Sequence, residues 1–225
     1  MKSVPCGAET EETVDERMAV YLASLEQNGQ GLLGEIEREA VKSSVPVIRK
    51  EMQSFLKVLL QIQQPLSVLE VGTAVGFSAL LMSSCIPEEG HITTIENYEK
   101  RIPLARENFR RAGREEQITL LEGDALEIMK GMEGPYDFIF MDAAKGQYPV
   151  WLPEVLRLLR PGGVLLSDNV LQEVSLLDSR FAVERRDRTI HERMRSYLYE
   201  LKHREDLETT ILPLGDGAAL TVKRR

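Results

Sequence analysis

Cysteine is scarce in this 225-residue chain, which contains only Cys6 and Cys85. Two cysteines are too few for a disulfide framework, so we expect a reducing compartment, with the cytoplasm as the default location. The chain also lacks any apolar run that approaches the roughly 20 residues needed to cross a bilayer. Its acidic N-terminus has no apolar core of the kind found in secretory signals. No contact with a membrane is therefore expected.

Basic residues are outnumbered, since 28 Lys and Arg stand against 36 Asp and Glu and give a net charge of −8. This balance argues against a broad phosphate-binding surface and favours an enzyme that acts on small molecules. One segment departs from the average: Arg180–Arg195 holds six arginines against three acids. Together with the basic end of the chain, it is either a solvated helix face and tail or a local patch for an anionic partner.

Several catalytic signatures are missing. The chain has neither a Walker A loop nor a G-x-S-x-G nucleophile elbow. Its three histidines, His91, His191 and His203, do not have zinc-ligand spacing with each other or with the cysteines. Hydrolases with a nucleophilic serine, P-loop enzymes and zinc proteins are therefore disfavoured.

The chain does show a regular succession of elements. Apolar spacing predicts three N-terminal helices, and short apolar runs that alternate with helical patterns predict five strands. The predicted helices are Glu12–Gln27, Leu32–Ser43, Ile48–Ile62, Gly76–Ser84, Glu99–Ala112, Ala125–Met132, Tyr148–Leu159 and Val183–His203. The predicted strands are Ser67–Gly72, His91–Glu96, Ile118–Glu122, Tyr136–Asp142 and Val164–Asp168. Such alternation predicts a doubly wound α/β fold with a parallel sheet.

The C-terminal part breaks this alternation. Two further strands, Glu208–Leu214 and Ala218–Lys223, are joined by Gly215-Asp216-Gly217, and Asp-Gly between apolar runs favours a β-hairpin. We therefore predict a mostly parallel, seven-stranded sheet that ends in an antiparallel hairpin. Residues 1–11 are expected to be disordered, and residues 12–225 to form a single domain.

Polar residues follow the first three strands at the edge where open α/β sheets bind their ligands. Gly72 and Gly76 permit a tight turn and a close approach of a ligand, although many strand-to-helix turns carry two glycines. Glu96, at the end of the second strand, can accept both hydroxyls of a ribose. Asp124 either contacts an adenine or caps the next helix. These residues predict a nucleoside-binding edge.

Strands four and five end in a second set of polar residues. Asp142 follows the fourth strand, while Asp168 and Asn169 follow the fifth. If the two strands are neighbours, these side chains offer hard oxygen ligands that suit Mg²⁺ and leave positions open for substrate. Lys145 could accept a proton or stabilise an oxyanion there. The alternative is that the three residues cap turns and that Lys145 is a surface lysine.

Taken together, VLEVGTAVGFSAL, FIFMDAAKGQY and GGVLLSDNVL resemble motifs of the metal-dependent class I O-methyltransferases, which include catechol and caffeoyl-CoA O-methyltransferases. The likeness covers residues from about 40 to 223. It implies a Rossmann-like fold, S-adenosylmethionine and Mg²⁺ or another divalent cation as cofactors, and a homodimer. One position departs from the family: Ala74 stands where many class I enzymes have glycine.

The same resemblance implies roles for individual residues. Asp142, Asp168 and Asn169 would bind the metal, and Lys145 would act with Asp142 in catalysis. The S-adenosylmethionine pocket would include Ile48, Glu70, Gly72, Ser78, Glu96, Asp124, Ala125 and Asp142.

Within this group the chain is most similar to the bacterial tRNA 5-hydroxyuridine methyltransferases. The motif DAAKGQY, the arginines around Arg185-Arg186-Asp187-Arg188 and the ending PLGDGAALTVKRR carry this likeness. It implies methylation of 5-hydroxyuridine at the tRNA wobble position to 5-methoxyuridine, with the anticodon stem-loop as partner. Phosphate contacts would then come from Arg185, Arg186, Arg188, Arg224 and Arg225. The alternative is a small-molecule enzyme of the catechol or caffeoyl-CoA type.

Overall fold

The computed structural model describes residues 17, 20–22, 24–26, 29–171, 184 and 188–225. Its centre is a seven-stranded sheet with the strand order β3-β2-β1-β4-β5-β7-β6. The strands are β1 (Ser67–Val71), β2 (His91–Glu96), β3 (Ile118–Glu122), β4 (Tyr136–Met141), β5 (Leu159–Asp168), β6 (Leu207–Leu212) and β7 (Ala218–Lys223). The first five strands pair in parallel, while β7 pairs antiparallel with both β5 and β6. The predicted fold class is confirmed.

Seven helices that lie entirely within the described residues pack around this sheet: α1 (Gly31–Lys42), α2 (Lys50–Gln63), α3 (Phe77–Ser83), α4 (Ile102–Arg111), α5 (Ala125–Gly131), α6 (Tyr148–Leu158) and α7 (Arg188–His203). A short 3₁₀ helix, Lys145–Gln147, precedes α6. Of the predicted first helix, residues 17, 20–22, 24 and 25 are described and helical. The expected disorder of residues 1–11 concerns residues outside the described ones.

Some predicted boundaries were wrong. Helix α4 begins at Ile102 rather than at Glu99, because Pro103 fits the first turn of a helix and residues before it form a turn. Strand β5 begins at Leu159, since the chain already pairs with Tyr136 before an irregularity in the ladder. Strand β6 ends at Leu212, and the glycine-containing turn follows it. The first residues of the predicted helix Val183–His203 lie largely outside the described part of the chain.

Alternating residues of β4 show why helices cover both faces of the sheet. Phe138 and Phe140 join one buried cluster with Leu56 of α2, whereas Ile139 joins a second cluster with Leu152 of α6. All five side chains are fully buried. A strand buried on both faces reads as a continuous apolar run, which is the pattern that predicted the parallel sheet.

Strand register brings the polar strand ends to one edge. Val71 of β1 is aligned with Ile95 of β2 and with Met141 of β4, and Met141 is aligned with Ser167 of β5. The residues that follow these positions therefore emerge side by side. The chain order reverses between β1 and β4, which is where open α/β sheets bind ligands.

The C-terminal hairpin adds a further segment to this edge. Ala218 of β7 is aligned with Asp168, so the preceding turn lies next to the end of β5. Gly217 has a φ of 85°, and a Cβ there would lie 2.4 Å from Cβ of Leu171. The turn is thus packed against the chain that leaves β5. In the part of the chain that is described, no helix is both long and apolar enough to cross a membrane.

Candidate functional site

A cavity of about 740 Å³ lies along the carboxyl ends of the strands, within the usual range for ligand pockets. The residues expected there from sequence line it, with one exception. Those that line the cavity are Ile48, Gly72, Ser78, Glu96, Asp124, Ala125, Asp142, Lys145, Asp168 and Asn169. The exception is Glu70, which lies inside β1 and is completely buried. Apart from Glu70, the predicted cofactor and metal residues therefore lie together in one cavity.

The loop after β1 is shaped by Gly72 and Ala74. Gly72 has a φ of 99°, and a Cβ there would lie 2.3 Å from the carbonyl oxygen of Asp142. Ala74 has a φ of 48°, a left-handed conformation that costs a non-glycine residue on the order of 1 kcal/mol. Its N–H donates to Oε2 of Glu96 at 2.8 Å. Ala74 thus adopts the left-handed backbone conformation that glycine adopts easily.

The two predicted nucleoside contacts also organise the backbone. Glu96 accepts hydrogen bonds from the N–H groups of Ala74, Asn97 and Tyr98 at 2.8–2.9 Å. Asp124 accepts from two N–H groups at the start of α5 through Oδ1, so the capping role is confirmed. Both carboxylates also line the cavity. Contact of either one with a ribose or an adenine stays a prediction.

Glu70 lies one layer beneath the cavity. Burial raises the pKa of its carboxyl to about 7, and the Thr94 hydroxyl donates to Oε2. Within the described residues, Oε1 of Glu70 and Oγ1 of Thr73 are buried and lack a partner in good hydrogen-bond geometry, although the hydroxyls of Ser78 and Thr73 are close enough to lower the pKa of Glu70. A buried acceptor without a donor costs about 1–3 kcal/mol. Thr73 lines the cavity, so its hydroxyl oxygen fits a ligand that brings a donor there, as the ammonium group of S-adenosylmethionine would.

Asp142, Asp168 and Asn169 meet at the ends of β4 and β5. Nδ2 of Asn169 donates to Oδ1 of Asp142 at 3.1 Å, and the backbone N–H of Asn169 donates to Oδ1 of Asp168 at 2.6 Å. Asn169 has a φ of 60°, and asparagine is among the few residues that tolerate this conformation well. The predicted set of three side chains is therefore assembled.

The electrostatics of this set favour a cation. Burial raises the pKa of Asp142 to about 6, and burial together with the Asp142 carboxylate raises that of Asp168 to about 7. Across the described residues, no group of three His, Cys, Asp or Glu side chains is arranged to hold a metal ion. The donors here are two carboxylates and one amide oxygen. That chemistry fits Mg²⁺, which keeps several waters in its coordination sphere.

Lys145 lies in the loop that leaves β4. It lines the cavity, and its charge lowers the pKa of both Asp142 and Asp168. The next residue, Gly146, accepts a hydrogen bond through its carbonyl from Nη1 of Arg193 at 2.9 Å. The lysine is thus close to the carboxylates, in a loop that contacts α7. Whether it acts as a base stays a prediction.

Of the five arginines expected to contact RNA, the three that the structure describes are not brought together. Arg185 and Arg186 lie outside the described residues, while Arg188 begins α7. Because β7 runs antiparallel to β5, it ends at the edge of the sheet opposite the cavity. Arg224, just beyond it, pairs with Glu208 at 2.7 Å, and Arg225 lies near Gly162. Arg224 and Arg225 therefore do not belong to the rim of the cavity.

Sequence reasoning missed several residues that line the cavity, notably Arg49, Trp151 and Asp216. Nη2 of Arg49 and Oδ1 of Asp216 form an ion pair of 2.8 Å between the segment before α2 and the hairpin turn. Gly215-Asp216-Gly217 predicted a turn, but nothing local in that motif shows what the turn approaches. Trp151, the single tryptophan in a chain with few aromatics, was a usable signal.

Comparison with known proteins gives three concordant similarities. A bacterial catechol O-methyltransferase from Niastella koreensis is 36% identical over 128 residues, which cover 55% of this chain and 58% of that protein. A solved Staphylococcus aureus structure, proposed to be a caffeoyl-CoA O-methyltransferase, is 28% identical with a TM-score of 0.83, covering 93% and 99% of the two chains. An O-methyltransferase from Bacillus cereus, solved with S-adenosylhomocysteine, is 26% identical with a TM-score of 0.80, covering 94% and 97%.

The alignment with the catechol enzyme thus spans just over half of that relative's length. The model of the O-methyltransferase family, by contrast, matches residues 23–224, almost the whole chain. The matched region contains every residue that lines the cavity. This chain therefore belongs to the class I O-methyltransferase family of the catechol and caffeoyl-CoA type.

Proposed function

We propose that this protein transfers a methyl group from S-adenosylmethionine to the 5-hydroxyl of 5-hydroxyuridine at the tRNA wobble position, giving 5-methoxyuridine. The carrying observation is that Asp142, Asp168 and Asn169 lie in the same cavity as the glycine loop and Glu96. A methyl donor and a metal-held acceptor would then be side by side. The acceptor suits such a site because its 5-hydroxyl and 4-carbonyl oxygens are vicinal, as the two oxygens of a catechol are.

The chain's own residues would position both reactants. Gly72 lets the loop after β1 pass close to Asp142, and Glu96, which the N–H of Ala74 holds in place, would receive the ribose of the donor. S-adenosylmethionine supplies the methyl group, and a divalent cation lowers the pKa of the acceptor hydroxyl. Asp142, Asp168 and Asn169 would hold that cation and so fix the direction of the acceptor oxygen. Alignment of the reacting atoms is the main requirement of an in-line displacement.

Lys145 would handle the proton of the acceptor. Its ammonium group is close enough to the two carboxylates to lower the pKa of each. In its neutral form it would take the proton of the acceptor hydroxyl, and in its charged form it would stabilise the resulting oxyanion. Either role places Nζ of Lys145 beside the acceptor oxygen.

An anionic partner would approach the protein near helix α7. Helix α7 begins at Arg188, and Arg193 on the same helix bonds to the loop of Lys145. The anticodon stem-loop is the proposed partner, with phosphate contacts from Arg188 and from Arg185 and Arg186. With a net charge of −8, the protein must make this contact locally, so binding should weaken steeply with salt. This function would place the protein in the cytoplasm.

A second candidate is O-methylation of a catechol or a caffeoyl-CoA-like phenol. The 36% identity to a protein named as a catechol O-methyltransferase favours it. It uses the same donor, the same cation and the same lysine. The two candidates differ in the acceptor and in the need for arginines near α7.

The deciding experiment measures methyl transfer from labelled S-adenosylmethionine, with and without Mg²⁺, to 5-hydroxyuridine-containing tRNA and to a catechol. The tRNA function predicts metal-dependent labelling of tRNA at a rate far above that of the catechol. Labelling of the catechol alone would support the second candidate and reject the first. Labelling that persists in EDTA would reject the metal in both.

Substitution of arginines tests the RNA surface separately. The triple variant Arg185→Ala, Arg186→Ala, Arg188→Ala should lose most tRNA methylation and keep any catechol turnover. The matched control is Arg224→Ala with Arg225→Ala, which removes charge from the opposite edge of the sheet. Equal losses in both variants would show that charge alone, rather than this surface, governs tRNA use.

We also propose that the protein forms a homodimer through its N-terminal helices. On α2, Val58 and Ile62 lie one helical turn apart and are exposed, Ile62 by 73%. Val20 and Leu25 of the preceding helical stretch are exposed as well, and Glu26 accepts a hydrogen bond from Ser54 of α2. Light scattering of the wild type and of a Val58→Glu, Ile62→Glu variant tests this: a monomeric wild type would reject it.

A further inference from the structure

Tyr148, the first residue of α6, lies directly behind the metal-binding candidates. Its side chain is completely buried, although it carries a hydroxyl. That hydroxyl lies 3.0 Å from the carbonyl oxygen of Met141 and 3.2 Å from that of Asp168. It also accepts a hydrogen bond of 3.3 Å from the N–H of Ala143. One oxygen atom therefore contacts two strand ends at once.

These partners are significant because of their place in the chain. Met141 and Ala143 flank Asp142, and Asp168 is itself the second carboxylate of the candidate metal site. The ladder between β4 and β5 is aligned as far as Met141 and Ser167, one residue before each carboxylate. Beyond that point the tyrosine hydroxyl bridges the two backbones.

The position of the ring is fixed by neighbouring aromatic side chains. Tyr197 packs against it edge to face with the ring centroids 5.5 Å apart, and Trp151 lies 6.3 Å away. Tyr148 also follows the 3₁₀ helix Lys145–Gln147 directly. Tyr148 therefore also fixes the end of the loop that carries Lys145.

We propose that Tyr148 is a positioning residue for the metal centre, whose hydroxyl sets the spacing between Asp142 and Asp168. This role rests on the proposed metal-dependent function. Tyr148 would act through the backbone on either side of Asp142, without touching the substrate. Groups that orient metal ligands in this way typically change metal affinity about 10- to 100-fold when they are removed.

The test compares Tyr148→Phe with Tyr197→Phe. Each change removes one buried hydroxyl and keeps the ring, and the two rings are in contact. The Tyr197 hydroxyl forms a hydrogen bond of 2.6 Å with Oγ of Ser167. It thus contacts a side chain and not the backbone of a candidate metal ligand. The measurements are the affinity for Mn²⁺ by calorimetry, the electron paramagnetic resonance spectrum of bound Mn²⁺, the affinity for S-adenosylmethionine and the melting temperature.

Tyr148→Phe should weaken Mn²⁺ binding about 10-fold and alter the spectrum of bound Mn²⁺. Tyr197→Phe should change Mn²⁺ affinity less than about twofold although it also loses a buried hydrogen bond. Both variants should keep their affinity for S-adenosylmethionine, which reports that the fold is intact. Wild-type Mn²⁺ affinity in folded Tyr148→Phe would overturn the positioning role alone. A wild type that binds no Mn²⁺ would overturn that role together with the metal part of the proposed function.

Discussion

The two halves of the cavity use carboxylates in opposite ways. On the side of β1–β3, Glu96 is held by three backbone N–H groups. On the side of β4 and β5, Asp142 and Asp168 lie close enough for the Asp142 charge to raise the pKa of Asp168. The chain itself therefore supplies the hydrogen-bond donors of Glu96, whereas Lys145 and Asn169 balance the negative charges of Asp142 and Asp168 only in part. Burial is the main cause of the raised pKa values of Asp142 and Asp168, and the charge of Asp142 adds to that of Asp168. The contrast shows that burial destabilises a carboxylate whose hydrogen-bond donors and positive neighbours do not offset it.

The two halves also differ in how far they are formed before a ligand binds. The donors that hold Glu96 are supplied by the chain, so this half is shaped before any ligand arrives. In the other half, the proximity of Asp142 and Asp168 carries a cost of charge repulsion that a bound cation would remove. Groups with strongly perturbed pKa values in a cleft are common at functional sites. The following four predictions test this difference, beginning with the largest effect.

Asp142→Asn should lower turnover by more than about 100-fold, since removing a metal ligand costs more than removing a group behind it. In the absence of metal and at pH 8, the same change should raise the melting temperature, because it removes a buried charge and, with it, the repulsion of Asp168. Turnover and thermal melting measure the two effects. A variant that is inactive and also less stable would contradict the account of charge repulsion.

Glu96→Ala should lower both stability and affinity for S-adenosylmethionine. The change leaves three backbone N–H groups without their acceptor, for which a loss of about 2 kcal/mol is expected. Urea unfolding gives the stability, and calorimetry gives the affinity. If Glu96→Ala and Asp142→Asn shift stability in the same direction without metal, the contrast between the two halves is wrong.

The stability of the metal-free protein should fall as the pH rises from about 4 to about 7. Asp142 and Asp168 ordinarily titrate near 3.8, but in the folded protein their pKa values are about 6 and about 7. The folded state thus binds more protons than the unfolded state in this window, and the stability that they contribute is lost as they ionise. Mg²⁺ should accordingly raise the melting temperature more at pH 8 than at pH 5. Equal shifts at both values would contradict this expectation.

Arg49→Ala should have the smallest effect. The side chain of Arg49 is 61% exposed and that of Asp216 is 18% exposed, and exposed ion pairs contribute up to about 1 kcal/mol. We expect a modest loss of stability and a weaker hold of the N-terminal segment on the hairpin turn, measured by urea unfolding and by hydrogen exchange near residue 48. Arg224→Ala, which removes the exposed pair with Glu208, is the control and should leave exchange near residue 48 unchanged.

Much of the site could be predicted because its residues are adjacent in sequence to strand ends. Once the βα alternation identified the strands, Gly72, Glu96, Asp142 and Asp168 had to emerge at one edge, since parallel strands share their carboxyl ends. The depth of Glu70 could not be predicted in the same way. Strand alternation gives its face, but only the surrounding packing shows that it lies beneath the cavity rather than on its wall.

Residues that reach the site from distant segments of the chain were harder still to predict from the sequence. Asp216 is near Asp168 because β7 returns alongside β5, and Arg49 meets it because α2 starts over the same edge. Arg224 and Arg225 fail to reach the cavity for the same reason, since the antiparallel strand carries them to the opposite edge. The basic ending alone did not show which edge it would occupy.

The amino-acid order alone was enough to predict the layered α/β fold, the edge of the sheet expected to bind ligands and the side chains at the ends of its central strands. Those features depend on local periodicity and on the short connections between neighbouring elements. The contacts of Tyr148 with two strand ends and of Arg49 with Asp216 appear only in the folded protein. Such contacts join residues far apart in the chain or aim one side chain at backbone groups. Their energies depend on distances that no local pattern encodes.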